Sequence, residues 1–127
     1  RRSLISTGTE STVYRRAFAP GTHWDAWVRY PFRTGYLSAG VVAAVGPGVS
    51  GWKVGDRVAS RTGHTSHGLV NADPDAVVAN DPGKGDCTPA GGPVRIPDGV
   101  SDDEACWMGL GKITQGGVRA AEHTLGE

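Results

Sequence analysis

His64 and His67, Cys87 and Cys106, and two Gly-x-Gly triplets are the residues whose types and spacing suggest chemistry. Imidazoles are common metal ligands, but on a strand an i, i+3 pair points to opposite faces and suits a metal poorly. Neither cysteine belongs to a C-x-x-C pair, so a zinc ribbon or disulfide framework is not expected. A single Cys87–Cys106 bridge stays open. Gly83-Lys84-Gly85 and Gly109-Leu110-Gly111 each lack a preceding strand and a third glycine in register, so neither is a dinucleotide fingerprint. The Thr9 hydroxyl invites two readings, one being a helix N-cap that accepts a backbone N–H two or three residues on. The rings of His23, Trp24, Trp27, Tyr30 and Phe32 read as packing over the end of a β structure rather than a ligand cage.

Composition narrows the setting of these residues. The 127 residues suit one domain, and 13 basic side chains balance 13 acidic ones for a formal net charge of zero. That balance gives no basic face for nucleic acid. The apolar run from Ala39 to Val45 is far too short to cross a bilayer. The chain opens Arg1-Arg2-Ser3 without a methionine or an apolar signal region, and a cytoplasmic setting is expected. Twenty glycines without a period, spread between short β-rich runs, indicate many tight turns and hence a barrel or sandwich.

The elements that must position the candidates follow from local pattern. Ser3 to Thr9 reads as a strand ending in a turn at Gly8, and Thr9 to Arg15 as a short helical turn. Val41 to Val45 reads as a mostly buried strand, broken at Gly46-Pro47-Gly48. Val49 and Trp52 fold back over it, Val54-Gly55-Asp56 turns again, and Arg57 to Ser60 resumes a strand. His64 to Val70 reads as a further strand, and 73–93 as a long loop. Ser101-Asp102-Asp103-Glu104 is a capping box that starts a helix running to about Met108. Gly109 and Gly111 interrupt it, and a second helix covers Ile113 to His123. Gly116 and Gly117 within that helix suggest close packing against another element.

Gly40-Val41-Val42-Ala43-Ala44-Val45-Gly46-Pro47-Gly48-Val49 and Trp52-Lys53-Val54-Gly55-Asp56-Arg57-Val58 together resemble the GroES-like barrel of medium-chain, alcohol dehydrogenase-like dehydrogenases/reductases. Every fixed position of that family's G-x-V-x-x-V-G-x-x-V-x-x-[FW]-x-x-G-D-x-V pattern is met. Pro97 to Ala105 resembles the segment leading into the interdomain helices, Ser6-Thr7-Gly8-Thr9-Glu10 the catalytic loop, and Leu125-Gly126-Glu127 the residues before the first Rossmann strand. The resemblance implies a mainly β fold: a partly open GroES-like barrel over residues 1–100, then two helices over 101–127 leading toward a nucleotide-binding domain absent from this sequence.

The resemblance also implies the chemistry. Zinc-dependent relatives hold the metal with a Cys, a His and a later Cys or Glu. Thr7 stands at the first ligand position, and Gly35-Tyr36-Leu37 stands where the relatives have G-H-E. Met108 lies near the third position, with Cys106 two residues away. Thr, Tyr and Met are not zinc ligands, so no zinc is expected. Hydroxyl donors must then stabilise the developing alkoxide. Thr9 matches the start of the family's proton relay, which is its second reading, and Tyr36 supplies a phenol where the His would be. Thr9 and Tyr36 are the expected catalytic residues, and Thr7 and Lys112 the expected cofactor contacts. His64 falls where the family begins the strand after the D-x-V turn, so its expected role is structural.

The implied parent is an NAD- or NADP-dependent oxidoreductase for a small alcohol or carbonyl substrate, with a homo-oligomer as a further possibility and no nucleic acid or membrane partner. The competing reading is a stand-alone GroES-like binding module without catalysis.

Overall fold

The computed structural model describes residues 1–72 and 92–121. Its organising element is one antiparallel sheet in the order β1 (Arg2–Ser3), β2 (Ser38–Val41), β3 (Arg57–Ser60), β4 (Val94–Arg95). Ser38 faces Ser60 and Val41 faces Arg57 across the central pair, while Val58 and Ala59 face Arg95 and Val94. Two helices, α1 (Thr7–Arg15) and α2 (His23–Trp27), lie between β1 and β2. Two more, α3 (Asp102–Ala105) and α4 (Met108–Ala120), follow β4.

The core is built from small side chains. Ala39 of β2 and Ala59 of β3 pack with Ile96, Ala105 and Cys106 in one buried cluster. Alanines on the sheet let α3 approach closely, so a short helix buries residues against β2 without long side chains. The capping box forms as the sequence predicts: the Ser101 hydroxyl accepts the Glu104 N–H at 3.2 Å, and the Glu104 carboxylate accepts the Ser101 N–H at 2.8 Å. Arg57 pins the start of α3 to β3 by donating to Val100 O at 2.8 Å and Asp102 Oδ1 at 2.6 Å.

The connection between β2 and β3 explains the Trp-x-x-Gly-Asp spacing. Asp56 is 8% exposed at its side chain, accepts the Lys53 N–H at 3.0 Å and pairs with Arg95 of β4 at 2.8 Å. The Arg95 guanidinium lies 4.6 Å over the Trp52 ring, a favourable cation–π placement. One carboxylate thereby closes the turn and ties it to the next strand.

Several expected elements fall elsewhere. The buried strand expected at Val41–Val45 ends at Val41, which is 57% exposed. Strand length is set by available partners rather than β-branched content; Val42 already pairs with Asp56 O and Gly55 N at 2.9 Å each, where the turn begins. No strand forms over 64–70. The strand expected over Ser3–Thr9 stops at Ser3, and α1 starts at Thr7, taking in both Gly8 and Thr9. Gly109 and Gly111 do not break α4, because the helix passes through both. The close approach lies at Gly109, where a Cβ would collide with Leu37, whereas Gly116 and Gly117 have nothing within 4 Å. The Gly83 triplet, Cys87, Val77-Val78 and Leu125-Gly126-Glu127 lie outside the described residues.

Four rings of the aromatic segment contact one another, His23 stacked on Trp27 and Trp24 and Phe32 edge-on to it, while the Tyr30 hydroxyl donates to Val13 O at 3.0 Å. Trp24 and Trp27 centroids are 5.4 Å apart, Trp27 and Phe32 5.2 Å, and His23 and Trp27 6.1 Å. The observed contacts are of ring on ring. Among the described residues no helix is long and apolar enough to cross a membrane.

Candidate functional site

Three segments converge on His64, which follows β3: the end of β1, the first turn of α1, and the loop before β2. Its Nδ1 lies 2.9 Å from Ser3 Oγ, and its Nε2 lies 2.9 Å from Glu10 Oε2. Its backbone N–H donates to Thr34 O at 3.2 Å. That bond continues the β2–β3 register beyond both strand ends, so 34–37 and 61–64 run alongside each other. Gly63 and Gly35 allow this: a Cβ on Gly63 would meet Thr34 O at 2.9 Å, and one on Gly35 the His64 N at 2.6 Å. Gly35 also has a φ of +92°, so glycine is required there on two grounds.

Glu10 is drawn in from the other side. Its Oε1 accepts the Ser6 N–H at 2.8 Å, closing the first turn of α1 while Oε2 meets His64. The N-cap of α1 is Ser6, not Thr9. Thr9 lies inside the helix, so the capping role is excluded and its hydroxyl has no hydrogen-bond partner among the described residues. Tyr36 is half-buried one residue past Gly35.

The expected site residues are thus brought together unequally. Thr9 and Tyr36 each sit one residue from a group held against His64, namely Glu10 and Gly35. Thr7 is exposed at the first position of α1, and Lys112 is exposed on α4. His64 is held by Ser3 and Glu10, and the strand expected to begin at it does not form. Its pairing with Glu10 carried no sequence signal beyond the two residue types, because 54 positions separate them.

The donor set does not fit zinc. Thr7 and Tyr36 are hydroxyls, which are poor zinc ligands. Cys106 is buried in the core, and burial pushes its thiol up, away from the thiolate a metal needs. Among the described residues no group of three His, Cys, Asp or Glu side chains is placed to hold a metal ion.

A cleft of about 500 Å³ opens on the sheet beside Val41, Val45, Trp52 and Leu69, with Ser38, Ser60 and Thr62 along its floor. Thr7, Thr9, Tyr36 and Lys112 do not line it, so the cleft is separate from the convergence at His64.

Residues 6–92, more than half of the chain, match the alcohol dehydrogenase GroES-like domain. The chain belongs to this family. Over 65 residues it is 38% identical to an L-threonine 3-dehydrogenase of Marinomonas sp. (strain MWYL1), which takes in 48% of this chain and 16% of that protein. The chain therefore spans a small part of the curated relative's length. No solved structure matches. Within an alcohol dehydrogenase GroES-like domain, the segments meeting at His64 include those that resemble the family's catalytic loop and its G-H-E position. This chain is an oxidoreductase-family domain on those grounds.

Proposed function

We propose that this chain is the substrate-side domain of an NAD(P)-dependent, zinc-independent oxidoreductase acting on a small alcohol or carbonyl compound. Residues 1–100 form the GroES-like, partly open barrel, and 101–127 lead toward a nucleotide-binding domain. The observation that carries this reading is the convergence at His64, which gathers the segments bearing Thr9 and Tyr36. The exposure of every α4 residue from Gly111 to Ala120 supports the division, since a helix between two domains packs against both.

A nicotinamide cofactor, when bound, would supply the hydride exchange with the substrate carbon. In the alcohol-forming direction the Tyr36 phenol would donate its proton to the carbonyl oxygen as negative charge develops there, and the Thr9 hydroxyl would relay a replacement proton from solvent to the Tyr36 phenolate. Thr7 and Lys112 are the residues that would contact the cofactor. The protein works in the cytoplasm on a small-molecule substrate, without nucleic acid or membrane partners, and as a homo-oligomer.

The test expresses the whole reading frame that contains this domain, follows NADH and NADPH binding by fluorescence, and assays an alcohol and aldehyde panel with and without a chelator. Saturable binding of a dinucleotide with chelator-insensitive turnover is expected. Chelator-sensitive turnover would overturn zinc independence. A protein that binds neither dinucleotide would overturn the enzyme reading in favour of a binding module.

A further inference from the structure

Ser3, His64 and Glu10 stand in line, hydroxyl to imidazole to carboxylate. His64 Nδ1 lies 2.9 Å from Ser3 Oγ, and its Nε2 lies 2.9 Å from Glu10 Oε2. A carboxylate only accepts, so Nε2 carries the ring hydrogen and donates it to Glu10. Nδ1 is then the ring's lone pair, and the Ser3 hydroxyl donates to it. A hydroxyl, a base that takes its proton and a third group that fixes the base are the parts of an activated nucleophile.

These parts are fixed by the fold. The Glu10 carboxylate is anchored through Oε1, which accepts the Ser6 N–H at 2.8 Å. The His64 backbone N–H is tied to Thr34 O, and its ring lies against Gly35, where a Cβ would meet Cγ and Cδ2 at 2.8 Å. Ser3 is exposed, while the His64 and Glu10 side chains are 25% and 12% exposed. The reacting hydroxyl therefore faces solvent with its partners behind it. Among the described residues β1 is an outer strand of the sheet. Leu4 N–H donates to Leu37 O, so the alternation along the strand turns the Ser3 N–H to the free edge. That N–H is a donor for the negative charge that develops on an acyl group attached to Ser3 Oγ.

We propose that Ser3 is an acyl-accepting nucleophile with His64 as its general base, and that the pair hydrolyses small carboxylic esters. Ser3 Oγ bonds to the ester carbonyl carbon while its proton passes to His64 Nδ1. The bond from that carbon to the alcohol oxygen then breaks, and His64 returns the proton to the departing alcohol. Water, deprotonated by His64, attacks the acyl-Ser3 in turn and releases the carboxylic acid and the free hydroxyl. Glu10 is the positioning residue that holds the ring hydrogen on Nε2. Ser3 does not line the cleft on the sheet, so the acyl group is small, such as acetyl. The activity lies beyond the oxidoreductase reading and needs no nicotinamide.

The experiment treats the whole protein with a fluorophosphonate, maps the adduct by mass spectrometry, and follows hydrolysis of para-nitrophenyl acetate. The exposed Ser11 and Ser50 are internal controls. Ser3 is expected to label at least about tenfold faster than either, and Ser3→Ala to lower ester hydrolysis at least about tenfold. Glu10→Gln keeps an acceptor for the Ser6 N–H but presents an amide N–H to Nε2, which moves the ring hydrogen to Nδ1. It should slow labelling at least about tenfold, with the tautomer change read in the ring nitrogen shifts of His64, a signature that lost packing alone does not give. Ser3 labelling no faster than Ser11 and Ser50, hydrolysis unchanged in Ser3→Ala, or labelling unchanged in Glu10→Gln would each overturn the proposal. Should a variant fail to fold, the labelling ratio in the unsubstituted protein decides alone.

Discussion

His64 Nε2 stands 2.9 Å from Glu10 Oε2, joining a loop after β3 to the first turn of α1. The Glu10 side chain is 12% exposed and the His64 side chain 25%, so water replaces this partner poorly. Removing one side of a largely buried hydrogen bond to a charged group costs about 1–3 kcal/mol. His64→Ala is therefore expected to lower the melting temperature by several degrees, and His64→Gln, which can keep one of the two bonds, by less. Thermal denaturation followed by circular dichroism checks this. Equal melting of all three proteins would show that the convergence does not depend on His64.

Tyr36 is half-buried, and under the proposed function its phenol is the donor to the substrate oxygen. Tyr36→Phe removes only the hydroxyl. In the whole enzyme kcat should fall at least about tenfold, in line with the loss of a positioned acid, with the melting temperature little changed. An unaltered kcat would remove Tyr36 from the mechanism.

Local chemistry was legible in the sequence, and long-range pairing was not. Ser101 and Glu104 form their capping box because both partners lie within one turn, and the Gly55-Asp56 turn is closed between Lys53 and Asp56, three residues apart. The β-branched run at Val41–Val45 misled because a strand ends where its partner turns away, here at Gly55 and Asp56, and composition does not carry that information. Thr9 fitted an N-cap equally well by residue type; Ser6 takes the position because Glu10 reaches back to its N–H. The roles of Glu10 and Ser3 at His64 depend on contacts between distant segments that no spacing rule reports.

Two glycines on α4 separate packing from propensity. Gly109 faces fully buried Leu37 at a distance that leaves no room for a Cβ. Gly109→Ala should destabilise the fold, since overpacking costs about 1–3 kcal/mol against a helix-propensity gain of up to about 1 kcal/mol. Gly116 has open space around it, so Gly116→Ala should stabilise by about 0.5–1 kcal/mol. Urea denaturation of both variants reads the two signs; a stabilised Gly109→Ala would mean that Leu37 repacks.

Asp56 sets the acid limit of the turn between β2 and β3. The Arg95 guanidinium bonded to its carboxylate, and then the Lys53 backbone N–H, hold its pKa below the ordinary aspartate value. Asp102 is lowered in the same direction chiefly by Arg57, and Glu104 by the Ser101 backbone N–H. A carboxylate more acidic in the folded state contributes stability that is fully present above its unfolded pKa, about 3.9 for Asp, and is lost as pH falls through the lower folded value. Stability should thus be flat from pH 7 to about pH 5 with respect to these groups and fall steeply below about pH 4. Asp56→Asn keeps an acceptor for the Lys53 N–H but gives Arg95 no charge, so it should melt lower at pH 7 and lose less on acidification to about pH 3. Melting temperatures of both proteins at the two pH values decide it: parallel curves would mean that the Asp56–Arg95 pair does not couple folding to protonation, and that Arg95 is held by the Trp52 ring and Gly51 O alone.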